Sequence, residues 1–229
     1  MTDITQNLVK DGPVKFEPAN RRIRGMLGGQ WIVDTLDAQY VWEHKYYPVI
    51  YVPLRALDAG AGTVSVPQTT PDDGFRQGHI SSNDKKAAVT VFDKGPLAGL
   101  DEKLLGPHPK DPYKRIECLS SSRSVRIEVD GTVVAESSHN VFLHETGLRT
   151  RYYLPPTAVT DWQQLTPSET TSFCPYKGQA SYYHLRVNGR EIRDAVWYYP
   201  YPTTESAAIQ GRLSFYNEKL DVFVDGVKE

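Results

Sequence analysis

"VRIEVDGTVVAES", residues 125–137, decides the fold class. Two runs rich in β-branched residues flank Asp130-Gly131, a pair whose backbone suits the tight turn of a hairpin. Working outward, "VFLHE" (141–145) reads as a third strand that ends on a glutamate. "RYYLPP" (151–156) reads as a fourth, stopped by Pro155 and Pro156 because proline cannot donate to a ladder.

The same order appears earlier in the chain. A gapless shift of 102 residues lays residues 22–57 on residues 124–159. It places Arg24 on Arg126, Gly29 on Gly131, Glu43 on Glu145, Tyr51 on Tyr153 and Pro53 on Pro155. Gly28-Gly29 in "MLGGQWIVDT" stands where Asp130-Gly131 stands. This is the signature of an internal repeat. We expect two tandem small domains, residues 1–112 and 113–229, all-β and tent-like or barrel-like, because short strands follow one another about every ten residues.

Beyond the repeat, "KAAVTVF" (86–92) reads as a strand and "PLAGLDEKLLG" (96–106) as a short helix with Pro and Gly at its ends. Residues 157–178 read mostly as turns. "ASYYHLRVNGREI" (180–192) is a further hairpin around Asn188-Gly189, and "DAVWYYPYP" (194–202) is a strand ended by prolines. A short helical turn near 204–209 precedes two last strands.

Composition narrows the function classes. The 229 residues carry a net charge of −2 and show no run of Lys or Arg, so the electrostatic footprint of a nucleic-acid binder is missing. The first residues are polar and lack the apolar core of a secretory signal, and no apolar stretch reaches the roughly 18 residues of a membrane span. Two cysteines, Cys118 and Cys174, make no disulfide framework and point to a reducing, cytoplasmic setting. No spacing of Cys and His suggests a metal site. The 14 tyrosines and 4 tryptophans suit either a half-buried sheet or the wall of a pocket.

The stretch "SFCPYKGQASYYHLRV" (172–187) holds the densest chemistry. Cys174 precedes Pro175 and is therefore held extended. Lys177 follows three residues later, and Gly178 permits a sharp turn. Two readings stand. Cys174 is a nucleophile activated by Lys177, with Glu145 or His184 in support; or it is a small buried hydrophobe, with Lys177 in a structural ion pair. On the following strand Tyr183, Leu185 and Val187 share one face, while Ala180, Tyr182, His184 and Arg186 share the other. Glu145 and Glu43 each end an apolar strand eight residues before a tyrosine. Each reads either as a general acid or base, or as the partner of an arginine, Arg126 or Arg24.

The strings "CPYKGQASY" (174–182) and "AVWYYPYP" (195–202), together with "LHETGLRTRYYLPP" (143–156), resemble the DUF427 family. The resemblance covers the second copy throughout and extends to "RIRGMLGGQWIVDT" and "YVWEHKYYPVIYVP" of the first. It implies a compact β fold similar to β-tent domains without their zinc cysteines. The recurring residues fall on Glu145, Tyr153, Pro155, Cys174, Lys177, Gly178, Tyr182 and Trp197. The first copy departs from the pattern, having no Cys-Pro or Lys-Gly around position 72. A nucleotidyltransferase label attached to the family finds no support here, since the chain has no Gly-rich phosphate loop and no aspartates paired to hold magnesium.

The expected function is that of a small-molecule enzyme of lyase, isomerase or hydrolase type, without a cofactor. Its catalytic groups would be Glu145, Lys177 and Cys174. Its walls would be Tyr153, Tyr182, His184 and Trp197, joined by Trp42, Glu43 and Tyr51 if the site lies near the junction of the copies. A non-catalytic ligand-binding module and a structural, partner-binding protein are the alternatives. The expected partner is a small molecule rather than nucleic acid or membrane, and the repeat leaves room for a homodimer.

Overall fold

The computed structural model describes residues 2–58, 62–66, 75–92 and 109–229. The chain divides into two compact units, residues 1–111 and 112–229. Both are built mainly from strands, and among the described residues no sheet closes into a barrel. No described helix is long and apolar enough to cross a membrane.

The first unit opens with a helix, α1 (Thr2–Asp11). The polar start of the chain concealed it. Leu8 buries against Val41, Val49, Tyr51 and Phe75, and that packing stabilises a helix which propensity alone would leave marginal. The strands follow in order: β1 (Lys15–Pro18), β2 (Ile23–Leu27), β3 (Gln30–Thr35), β4 (Gln39–Trp42) and β5 (Val49–Tyr51), then a short helix α2 (Leu54–Asp58), then β6 (Thr63–Ser65), β7 (Phe75–Ser82) and β8 (Lys85–Phe92). They form the sheet β1-β4-β5, the hairpin β2-β3 and the sheet β6-β7-β8. The helix expected over 96–106 and the stretch around position 72 lie outside the described residues.

The second unit runs β9 (Ile116–Ser121), β10 (Val125–Val129), β11 (Thr132–Ser137), β12 (Asn140–Glu145), β13 (Arg151–Leu154), β14 (Leu165–Cys174), β15 (Gly178–Val187), β16 (Arg190–Tyr198), β17 (Leu213–Phe215), β18 (Asp221–Val224) and β19 (Val227–Lys228). A 3-10 turn over Thr204–Ile209 separates β16 from β17. One sheet has the order β11-β10-β18-β19. The other has seven strands, β14-β15-β16-β17-β13-β12-β9.

Pairings in the two units recur at the 102-residue offset. Gln39 faces Tyr51 as Val141 faces Tyr153, and Tyr40 faces Ile50 as Phe142 faces Tyr152. The bulge between Gly25 and Met26 has its counterpart between Ile127 and Glu128.

Strand alternation gives the seven-stranded sheet two buried faces. Phe142, Tyr152, Leu154, Leu185, Val187 and Phe215 pack toward the four-stranded sheet, against Val125, Ile127, Val222 and Val224. Val141, Leu143, Tyr153, Ala180, Trp197 and Tyr199 form a separate core on the other face, covered by Ile209 of the 3-10 turn. Each fully buried aliphatic side chain in these layers contributes roughly 1.5–3 kcal/mol.

β14 corrects the expectation of turns over 157–178. Its Ser, Thr and Glu residues and Pro167 resemble loop composition, but β14 is the edge of its sheet. An edge strand meets water and tolerates proline, so its sequence need not alternate.

Candidate functional site

The second core face opens into a cleft of about 410 Å³. Glu145 at the end of β12, Arg151 and Tyr153 of β13, Tyr182 of β15, Trp197 of β16 and Tyr199 just beyond it line it. Gly147, Leu148, Arg149, Lys177, Tyr216 and Glu218 complete the wall from turns. Alternation along β12 and β13 is the reason Glu145 and Tyr153 arrive together. Val141, Leu143 and Glu145 share one face, as do Arg151 and Tyr153.

Lys177 comes from the turn between β14 and β15. Its N–H donates to the Cys174 carbonyl at 3.2 Å, and Gly178 follows with φ +100°, in the region that favours glycine. The turn is tied to residues 203–206. Thr203 N–H donates to the Lys177 carbonyl at 3.1 Å, Ser206 Oγ donates to the Tyr176 carbonyl at 3.0 Å, and Thr203 Oγ1 donates to the same carbonyl. The Cys-Pro-Tyr-Lys-Gly string is therefore a clamped turn, and its projecting group is the lysine.

Lys177 Nζ donates to Glu145 Oε2. The side chains are only 13 % and 10 % exposed, so the ion pair is largely out of water. Three strands, β16, β17 and β13, separate β15 from β12 in the sheet. Flat strands would hold the two about 19 Å apart, at about 4.8 Å per spacing. The contact therefore requires the sheet to curl, so that the β14–β15 turn approaches the end of β12. Glu145 pairs with this lysine and not with Arg126, which pairs with Glu128 at 2.7 Å.

A second charged pair lines the same cleft. Arg151 binds Glu218 with two hydrogen bonds, at 2.9 and 3.0 Å, and a third at 3.2 Å goes to Asn217. Its guanidinium lies 5.5 Å from the Trp197 ring and 5.7 Å from that of Tyr216, within range of a cation–π attraction. The Arg151 hydrogen bonds hold the Glu218 carboxyl below its ordinary range, so it stays ionised. Burial, together with the hydrogen bond to Tyr182, pushes the Tyr216 phenol up to about 12. Burial pushes Tyr153 and Tyr199 far above the usual phenol range, with the Trp197 N–H acting the other way on Tyr153. These phenols are neutral donors at ordinary pH.

Of the residues expected at a site, Glu145, Lys177, Tyr153, Tyr182 and Trp197 converge on the cleft. Cys174 does not line it. It is half-buried at the start of the clamped turn. His184 does not line it either. The β15–β16 pairing slips opposite His184, where β16 carries the extra residues 193–195, and His184 Nδ1 accepts the Asp194 N–H at 3.0 Å. Asp194 has φ +48° and its carboxylate accepts from Ser168 and Thr170, so this cluster holds a strained bulge. Trp42, Glu43 and Tyr51 are engaged within the first unit. Tyr51 donates to Glu43 at 2.8 Å, and the Trp42 ring N–H donates to Asp111 at 3.0 Å.

Sequence reasoning missed Arg149, Arg151, Tyr199, Tyr216 and Glu218. The only signal for Arg151 and Tyr199 was that each shares a strand face with a residue already chosen, Tyr153 and Trp197. Cys118 on β9 was also missed. Burial raises its thiol while Lys177 acts to lower it, which places it within electrostatic reach of the lysine. Among the described residues no group of three or more His, Cys, Asp or Glu could hold a metal ion.

The family model described as "Domain of unknown function (DUF427)" matches residues 15–72 and 117–226, most of the chain. The chain belongs to the DUF427 family. No curated protein matches it. In this DUF427 chain every residue lining the cleft lies in the second matched segment, and so do Cys174 and Gly178. Trp42, Glu43 and Tyr51 lie in the first.

Proposed function

We propose that the second unit is a small-molecule enzyme that works by acid–base chemistry without a cofactor. The Glu145–Lys177 pair at the cleft carries this reading. Glu218 is committed to Arg151, and the buried phenols are neutral, so Glu145 is the lining carboxylate left to take a proton and Lys177 the ammonium left to give one. Both roles require only a displacement of one partner by substrate. The aromatic walls supply contact area for a planar organic molecule at low entropic cost. The two free cysteines fit a reducing compartment.

The test is a turnover screen of the whole chain against small carbonyl and aromatic metabolites, read by mass spectrometry. Glu145→Gln is expected to lower the rate about 10²–10⁴-fold, the usual weight of a general base, with an unchanged circular dichroism spectrum. A folded Glu145→Gln protein that retains full turnover would overturn the assignment. Saturable binding without turnover would make the unit a ligand-binding module.

A further inference from the structure

Resting on the acid–base reading of Glu145, we propose that the hydroxyls of Tyr153 and Tyr199 form a donor pair for an oxyanion, so that the substrate is a small carbonyl compound which the enzyme isomerises through its enolate.

The argument starts from what each cleft hydroxyl already does. Tyr182 OH is bonded to Ser172 Oγ at 2.6 Å and also interacts with Tyr216, so both of those hydroxyls are engaged. Tyr153 differs. Its oxygen accepts the Trp197 ring N–H at 3.0 Å, which occupies a lone pair and leaves the O–H proton to be donated elsewhere. Among the described residues nothing accepts that proton. Tyr199 makes no side-chain hydrogen bond among the described residues. Yet Tyr153 is 1 % and Tyr199 5 % exposed, and both line the cleft. The Tyr199 hydroxyl is not among the buried polar atoms that lack a partner, so although its ring is buried its oxygen opens to the cleft. Two neighbouring hydroxyls with protons to give, on rings 6.5 Å apart, are what a ligand oxygen would complete.

The chemistry is one of donors only. Burial keeps both phenols protonated, so neither competes with Glu145 as a base. Preorganised neutral donors stabilise negative charge as it develops on oxygen. Glu145 faces the same cleft and its charge acts on Tyr199. The step balances without a co-reactant. Glu145 takes a proton from the carbon next to the carbonyl, the C–H electron pair becomes the enolate C=C bond, and the carbonyl π pair moves to the oxygen between Tyr153 and Tyr199. Returning the proton to a different carbon of a conjugated enolate regenerates the carboxylate and leaves an isomer.

The test uses 4-nitrophenolate, a planar delocalised oxyanion, against its neutral ether 4-nitroanisole, both bound to the full chain. The phenolate is expected to bind the wild type more tightly. Tyr199→Phe is expected to cut phenolate affinity by roughly tenfold or more, the scale of a hydrogen bond to a charged group, and to leave 4-nitroanisole binding unchanged, which also shows that the variant is folded. Tyr153→Phe should do the same, although it removes the acceptor of Trp197; if it unfolds, Tyr199→Phe decides alone. Equal affinity for phenolate and ether, or a phenolate preference intact in Tyr199→Phe, would overturn the proposal. The readout needs no turnover. A chain that prefers the phenolate but catalyses nothing sinks the role of Glu145 and keeps the donor pair. An active chain indifferent to the phenolate sinks the donor pair alone.

Discussion

Lys177 illustrates how one side chain joins stability to chemistry. A largely buried ion pair contributes little relative to a well-packed apolar pair, but losing one partner leaves an uncompensated charge. Lys177→Met should therefore destabilise the second unit by up to about 3 kcal/mol, and the double change Lys177→Met with Glu145→Gln should recover most of that loss. Urea unfolding of the three variants reads it out. A double variant as unstable as the single one would mean that the lysine acts through packing of its stem. Cys174, three residues away, was the more eye-catching group in the sequence. Its place outside the cleft lining follows from the turn geometry, which projects Lys177 and leaves the cysteine at the strand end.

At the scale of elements, the turn over 174–178 decides where the lysine goes. Gly178 has φ +100°, and a Cβ there would stand 3.0 Å from the Tyr201 carbonyl. Gly178→Ala is expected to destabilise by about 1 kcal/mol or more through backbone strain and to weaken ligand binding in the cleft by displacing Lys177. Thermal melts and binding titrations check the two effects together. An unchanged melt would show that the turn relaxes. Hairpins such as β10-β11 and β15-β16 were legible because Asp130-Gly131 and Asn188-Gly189 state the turn locally. β14 was not legible, because an edge strand answers to water on one side and carries no period. The register slip on β16 opposite His184 was equally hidden, since it depends on Asp194 being held by side chains of β14.

The whole molecule has a stability profile set by its ionisable groups. Hydrogen bonds from Arg123, Ser168 and Arg151 lower the carboxyls of Asp225, Asp194 and Glu218 respectively. A carboxyl lowered on folding stabilises above its unfolded value, so this contribution is lost as pH falls below about 4. Tyr152 and Tyr216, raised to about 12 chiefly by burial, act in the opposite direction. Their contribution is complete below the unfolded phenol value of about 10 and is lost as pH rises from there to about 12. The melting temperature should therefore plateau between and fall at both ends, and the tyrosinate absorbance that is lost in Tyr152→Phe and Tyr216→Phe should appear, above pH 10, together with unfolding. Tyrosinate from these two residues in the folded protein well before unfolding would contradict the burial of their rings.

What the sequence determined by itself is what short-range chemistry states: most of the strands and their faces, the Gly and Asx-Gly turns, and Glu145 at a strand end eight residues before Tyr153. The partner of Glu145 was beyond it. Glu43 and Glu145 stand at matching positions eight residues before matching tyrosines, yet Glu43 accepts a hydrogen bond from Tyr51, while Glu145 meets Lys177. Part of that difference is stated in the sequence, because position 75, the counterpart of Lys177, is a phenylalanine; the rest is the curl of the seven-stranded sheet, which brings the turn carrying Lys177 to Glu145. Curl is a property of many packed side chains acting together, and no local stretch of sequence encodes the distance between the two ends of a sheet.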